Sequence, residues 1–207
     1  MRTNSLYIAA NININNRHVF YGKSLLKDLK PETNFKSFSR DFYKFLVCDY
    51  PKFYKMDNLC KLAFLGVELL VKKSGQDFSA ENTALFFANS ASTIDTDTRF
   101  ADTLNKIPSP AIFVYTLPNI SSGEISIRHG WKGENIFLIS DHLDTHELSE
   151  NLYTLFNDTP TDKCVTGWID YLSDSEYNCT LWLITREKNA GSRELDAEQL
   201  AFDYQRK

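Results

Sequence analysis

Residues 109–146, SPAIFVYTLPNISSGEISIRHGWKGENIFLISDHLDTH, decide how this 207-residue chain is read. They read as a strand at 111–115, a turn, then a short helix at 118–127 whose small face is Ser121, Ser122 and Gly123. Turn glycines follow at Gly130 and Gly133, then a fully buried apolar strand at 136–139 (IFLI) and a sharp exit into a helix. In an α/β protein, a strand-to-helix corner of this kind is where a nucleophile sits. Here the corner is Ser140-Asp141-His142-Leu143-Asp144. It holds no cysteine, and its serine is in no nucleophile-elbow motif.

Beyond the corner, Leu148, Leu152 and Leu155 are spaced for one buried face of a helix at 145–156. Residues 163–172 and 177–185 read as strands joined by Ser173-Asp174-Ser175-Glu176, an antiparallel hairpin at the end of the sheet. The tail 187–207 is polar, with one helix at 195–204. Before the corner, TALFFAN at 83–89 reads as a strand buried on both faces, followed by a small-residue loop at 90–96 and a polar helix at 97–106 that stops at Pro108.

Asp57 caps a long helix in which Leu59, Leu62, Ala63, Leu65, Gly66, Leu69 and Leu70 form a wide apolar stripe. Lys72, Lys73 and Gly75 supply its C-terminal signals. A helix capped by Ser39 ends before Pro51. Residues 6–14 and 17–22 read as two strands turning at Asn15-Asn16, and 23–36 as a polar loop with one helical turn. Alternating strands and helices that close on two adjacent strands predict one α/β domain over 1–207, a three-layer sandwich around a mixed sheet of the five-stranded type.

Hydrophobic residues make up 43% of the chain and charged residues 24%, an ordinary globular balance. The net charge of −4 and the absence of a basic stripe argue against nucleic acid, although a local basic patch for an acidic carrier remains compatible with it. No window reaches the ~18 apolar residues of a membrane span, and no signal-peptide run opens the chain, so a cytoplasmic location is expected. Cys48, Cys60, Cys164 and Cys179 are scattered without a CxxC pair and read as reduced thiols.

Pro118-Asn119, then Gly123, Ile125, Ile127, Gly130, Gly133 and Asn135 in register, resemble the segment before the active-site cysteine of β-ketoacyl-ACP synthases, in the thiolase-like superfamily. Asp57 with Lys61-Leu62-Ala63 resembles the long helix of the same half, residues 83–90 its next strand and loop, and 163–168 a later strand. The resemblance covers most of residues 38–185, one N-terminal half of a two-half enzyme. It implies the thiolase-like fold, a homo- or heterodimer made through the strand at 136–139, and two partners: an acyl carrier protein and a full-length ketosynthase. No cofactor is implied.

Three departures accompany the resemblance. Counting from Gly133-Glu134-Asn135, the nucleophilic cysteine falls at His142. The small neighbours of that cysteine are replaced by Leu143, Asp144 and Thr145. The half that brings the decarboxylating residues is not found. Acyl transfer needs a thiolate and donors for the oxyanion, and an imidazole cannot form the thioester. The implied role is that of a non-catalytic subunit resembling a chain-length factor. Two other roles remain open: a repurposed acyltransferase or hydrolase, and an acyl-chain-binding module.

Asp141, His142 and Asp144 are the candidate corner residues. With His146 they form the densest polar cluster in the chain. Read chemically, His142 and His146 share a helix face as metal ligands do, but no motif marks a third ligand, and no metal is assigned. Read structurally, Asp141 or Asp144 caps the helix. His129 reads as an exposed loop histidine, Cys164 as a buried inert thiol, and Gly130 and Gly133 as turn residues.

Overall fold

A computed structural model of the chain describes residues 5–30, 33–105 and 107–205. Its strands are β1 (Tyr7–Asn15), β2 (His18–Tyr21), β3 (Ser24–Asp28), β4 (Thr83–Asn89), β5 (Asn135–Ile139), β6 (Lys163–Ser173), β7 (Glu176–Thr185) and β8 (Arg193–Glu194). Its helices are α1 (Phe35–Phe45), α2 (Asn58–Ser74), α3 (Ile94–Leu104), α4 (Pro110–Phe113), α5 (Ile120–His129), α6 (Thr145–Asp158) and α7 (Ala197–Tyr204). Two 3-10 turns lie at Pro51–Lys55 and Val114–Thr116.

The sheet runs β3-β2-β1-β7-β6-β4-β5, with β8 also paired to β1. β4 is parallel to both β5 and β6, whereas β7 is antiparallel to β6 and to β1. These five strands are the expected mixed core, which β2, β3 and β8 extend. The expected strand alternation sorts side chains onto two faces. Leu85, Phe87, Val165, Leu181 and Leu183 join α1, α2 and α5 in one core. Ala84, Phe86, Cys164, Trp182 and Ile184 join α6 and α7 in the other. Helices therefore cover both faces, giving three layers. A bulge between Ile8 and Ala10 sends Ile8 to one core and Ile12 and Ile14 to the other, although all three positions have the same parity.

α2 holds the larger core together. Asp57 accepts the Cys60 N–H at 2.9 Å and caps its start, and Gly75 ends it in the left-handed region. Gly66 lets α2 lie against β7, because a Cβ there would sit 2.7 Å from Cys179 Sγ.

Several expectations need correction. Residues 111–115 are helical, since Ser109 caps α4 and Pro110 occupies its first turn, where a missing N–H costs nothing. The segment expected to be a loop at 23–36 contains β3, paired with β2. Asn34, not Ser39, caps α1 by accepting the Ser37 N–H at 2.9 Å. The β6–β7 hairpin lies in the middle of the sheet, because β1 returns to pair with β7. β5 is not fully buried: it is the terminal strand, and its residues are half-buried or exposed. The expected helix at 97–106 is α3, which starts earlier, and Lys106 lies outside the described residues.

Candidate functional site

The corner lies at the carboxyl ends of parallel strands β4, β5 and β6, where open α/β sheets place their ligands. The Ser140 N–H donates to the Asn89 carbonyl at 2.9 Å and ties the end of β5 to that of β4. The loop after β4 is held by Asp170 on β6. Its carboxylate accepts the Ser90 and Ala91 N–H groups at 3.0 and 3.2 Å, the Ser90 hydroxyl at 2.9 Å and the Trp168 indole N–H at 2.7 Å.

Asp144 is engaged as the cap of α6, accepting the His146 and Glu147 N–H groups at 2.9 and 3.0 Å. The Glu147 N–H first, then that of His146, holds its carboxyl below the usual carboxylate range. Asp141 and His142 are exposed, and among the described residues no hydrogen bond or ion pair engages the His142 ring. His142 precedes α6, so it does not share a helix face with His146. Among the described residues, no group of three or more His, Cys, Asp or Glu side chains is placed to hold a metal ion.

Beside the corner is an open cleft of about 230 Å³. Phe86, Leu138, Leu148 and Trp168 give it an apolar floor, and Ser140, His142, Glu147 and Asn151 line it with polar groups. A second cleft of about 390 Å³ shares Phe86, Leu138 and Asn151 and continues between β5 and α6. The pair makes one amphiphilic groove along the outer strand.

Of the motif residues, Gly133 and Asn135 bear on the position of that strand. Asn119 is the N-cap residue of α5, without a side-chain capping bond, and follows Pro118. Nothing lies within 4 Å of a Cβ built at Gly123, so the tight helix face expected there is carried by buried Ser121 and Ser122. At Gly133 a Cβ would run into the Thr83 carbonyl, so only glycine lets the loop lie on the start of β4. Asn135 opens β5, and its amide faces the Ser126 hydroxyl at 3.5 Å.

None of the four thiols is prepared as a nucleophile. Burial first, then the charge of Glu68, pushes Cys48 up to about 12, and burial raises Cys60, Cys164 and Cys179.

Sequence reasoning missed the buried carboxylates of the helical layer. Glu68 is 2% exposed on α2, outside the apolar stripe and on the side that meets the end of α5. It accepts from Arg128 Nε at 3.0 Å and lies 3.2 Å from His129 Nε2. Burial works to raise its carboxyl, but contact and charge from His129 and Arg128 hold it at about 2. His129 is therefore a packed residue at the end of α5, stacked on Trp131, and not an exposed loop histidine. Glu124 on α5 pairs with Lys52 at 2.9 Å. The sequence carries no clear signal for either acid, because Glu68 lies outside the α2 stripe and the partners that bury the two carboxylates, Arg128 and Lys52, come from other elements.

The α/β/α sandwich around a mixed sheet, with its corner at the carboxyl end of the parallel strands, is a fold shared with solved ketosynthase and chain length factor structures. No family model matches the sequence, and no curated protein does. Among solved structures, the ishigamide ketosynthase/chain length factor superposes with a TM-score of 0.64 at 13% identity, covering 92% of this chain and 64% of that chain. This chain thus spans somewhat less than two thirds of that protein's length. A ketosynthase (ApeO) in complex with its chain length factor (ApeC) from Xenorhabdus doucetiae gives a TM-score of 0.57 at 12% identity, covering 89% of this chain and 80% of that chain. A type II PKS acyl-carrier protein in complex with its ketosynthase bound to the hexaketide (AntDE:AntF) gives 0.57 at 11%, covering 87% and 63%. At these identities the likeness is one of fold.

Proposed function

We propose that this chain is a ketosynthase-like, non-catalytic subunit of a fatty-acid or polyketide-type pathway. It pairs with itself or with an active 3-oxoacyl-ACP synthase, as a chain length factor does. The observation that carries this reading is the corner itself. The position where the resemblance places a cysteine is His142, whose ring has no hydrogen-bonding partner among the described residues, while Asp144 is engaged as a cap. The edge of β5 supports the pairing. It carries exposed Leu138 and Ile139 and, among the described residues, has no strand beyond it, the arrangement that strand-to-strand association uses. The acyl carrier protein is a partner on the same reading.

The test is the solution mass by light scattering, alone and mixed with a ketosynthase encoded nearby. A monomer that becomes a heterodimer is the expected result for the subunit. A tight homodimer that ignores the synthase removes the heterodimer arm and returns attention to His142. The apolar floor of Phe86, Leu138 and Trp168 favours one second reading, a module that holds an acyl chain in the β5–α6 groove without reacting with it.

A further inference from the structure

The chain is uneven in charge. Between Lys23 and Lys55, basic residues outnumber acidic ones eight to four, in a chain with 23 basic and 27 acidic residues overall. Seven of those eight are lysines, Arg40 being the exception. Of these, Lys44 lies in the last turn of α1, Lys27 reaches it from β3, Lys55 lies in the 3-10 turn that follows, and Lys52 is already paired with Glu124; around them are apolar side chains in solvent. Phe45 is 51% exposed, Val47 83%, Tyr54 53% and Leu25 51%. Lys27 lies over the Phe45 ring at 5.7 Å, Lys44 precedes that ring in α1, and Lys52 and Lys55 flank Tyr54 in the 3-10 turn.

Val47 is the second, independent observation. It follows the C-cap of α1 with φ 49°, a left-handed conformation. Its N–H donates to the Lys44 carbonyl at 2.9 Å and the Cys48 N–H to that of Tyr43 at 3.3 Å, a Schellman pattern that favours glycine at this position. A β-branched side chain there is a genuine outlier. The Val47 carbonyl accepts from Lys72 Nζ at 3.2 Å, but the side chain gains no packing that would offset the strain, since the isopropyl group is almost wholly in water. An outlier of this kind marks a surface with another use.

We propose that the end of α1 is a docking tip for an anionic lipid surface. Phe45 and Val47 enter the headgroup region, and Lys27, Lys44 and Lys55 hold lipid phosphates. Two features favour a bilayer over an acidic protein. The tip is not concave: none of the five main cavities among the described residues is lined by Phe45, Val47 or Tyr54. The cations are lysines, which are depleted at protein interfaces and suited to a diffuse phosphate layer, whereas arginine is the residue of bidentate carboxylate recognition. Exposed Asp41 and Asp49 reduce the local charge without reversing it.

The experiment is co-sedimentation of the full chain with vesicles of phosphatidylcholine alone and with added phosphatidylglycerol. Binding is expected only to the anionic vesicles and is weakened by salt. Lys27→Ala and Lys44→Ala each weaken it about fivefold. Phe45→Ser with Val47→Gly weakens it at least about tenfold. Val47→Gly alone keeps the fold, checked by its circular dichroism melt, so its loss of binding cannot come from unfolding. Indifference to phosphatidylglycerol overturns the proposal, as does equal binding to both vesicles. So does capture of an acidic carrier protein at this face by a chain that ignores vesicles.

Discussion

Arg128 Nε donates to Glu68 Oε1 at 3.0 Å, joining the end of α5 to the middle of α2 through a carboxylate whose side chain is 3% exposed. The same arginine donates to the Asp49 carbonyl at 3.0 Å and lies over Tyr50 at 5.4 Å, so one charge pair also fixes the loop after α1. Removing the carboxylate leaves the Arg128 guanidinium without its partner against the buried helix layer. Glu68→Ala is expected to cost about 2–4 kcal/mol, read from a shift in the urea midpoint with the slope unchanged.

The same group sets an acid limit. Glu68 has its folded pKa at about 2, against an ordinary value of 4.5. A depressed carboxylate contributes stability above its unfolded value and loses it as pH falls through the folded one. About 2 kcal/mol, discounted for solvent screening, is therefore expected to disappear between pH ~4.5 and ~2. Wild-type denaturation midpoints across this window should fall more steeply than those of Glu68→Gln. Parallel curves would remove Glu68 from the account.

Gly133 couples the motif loop to the sheet. With the Thr83 carbonyl in the place of its missing Cβ, Gly133→Ala must push the loop off β4. A loss of about 1–3 kcal/mol is expected, with a lower melting temperature. Gly123→Ala meets open space inside α5 and is expected to stabilise by up to about 1 kcal/mol. The opposite signs separate a glycine held by packing from one that is not.

Much of this architecture was legible because local chemistry and tertiary environment agree. α2 has a cap, a wide apolar stripe and a left-handed glycine, and β4 is apolar on both faces because both faces are covered. The failures lie where they disagree. The IFLI run of β5 has the composition of a central strand but sits at the edge, since composition does not encode strand order. α4 contains Ala-Ile-Phe-Val, a β-like run overridden by Ser109 and Pro110. The bulge at Ala9 and the partners of Glu68 depend on segments far away in the chain. At the corner, a capping aspartate was readable as Asp141 or Asp144, and the structure makes it Asp144, whereas the cleft beside His142 needs Phe86 and Trp168 from other strands.

Thiol chemistry gives an independent check on the corner. With Cys48 pushed up to about 12 and the other three raised by burial, labelling of the folded protein by a thiolate-selective reagent at pH 7 is expected to be slow at all four sites. His142→Cys adds an exposed thiol three residues before α6 and should be labelled at least tenfold faster, near the rate of a free thiol. A labelling rate no faster than that of the native cysteines would mean that the corner is covered in solution.

The edge of β5 makes the last prediction. Ile139 is 52% exposed and Leu138 38%, and among the described residues no strand pairs with the outer side of β5. A lysine on an edge strand opposes pairing with another chain while leaving the strand's bonds to β4 intact. Ile139→Lys is therefore expected to lower the association constant by at least a hundredfold, read by light scattering, and to change the melting temperature of the dissociated chain by no more than a few degrees. If association survives this substitution, the partner binds elsewhere, and the pairing through β5 is wrong. If both association and folding fail, Ile139→Ser separates the two, because it removes the apolar contact without placing a charge on the edge.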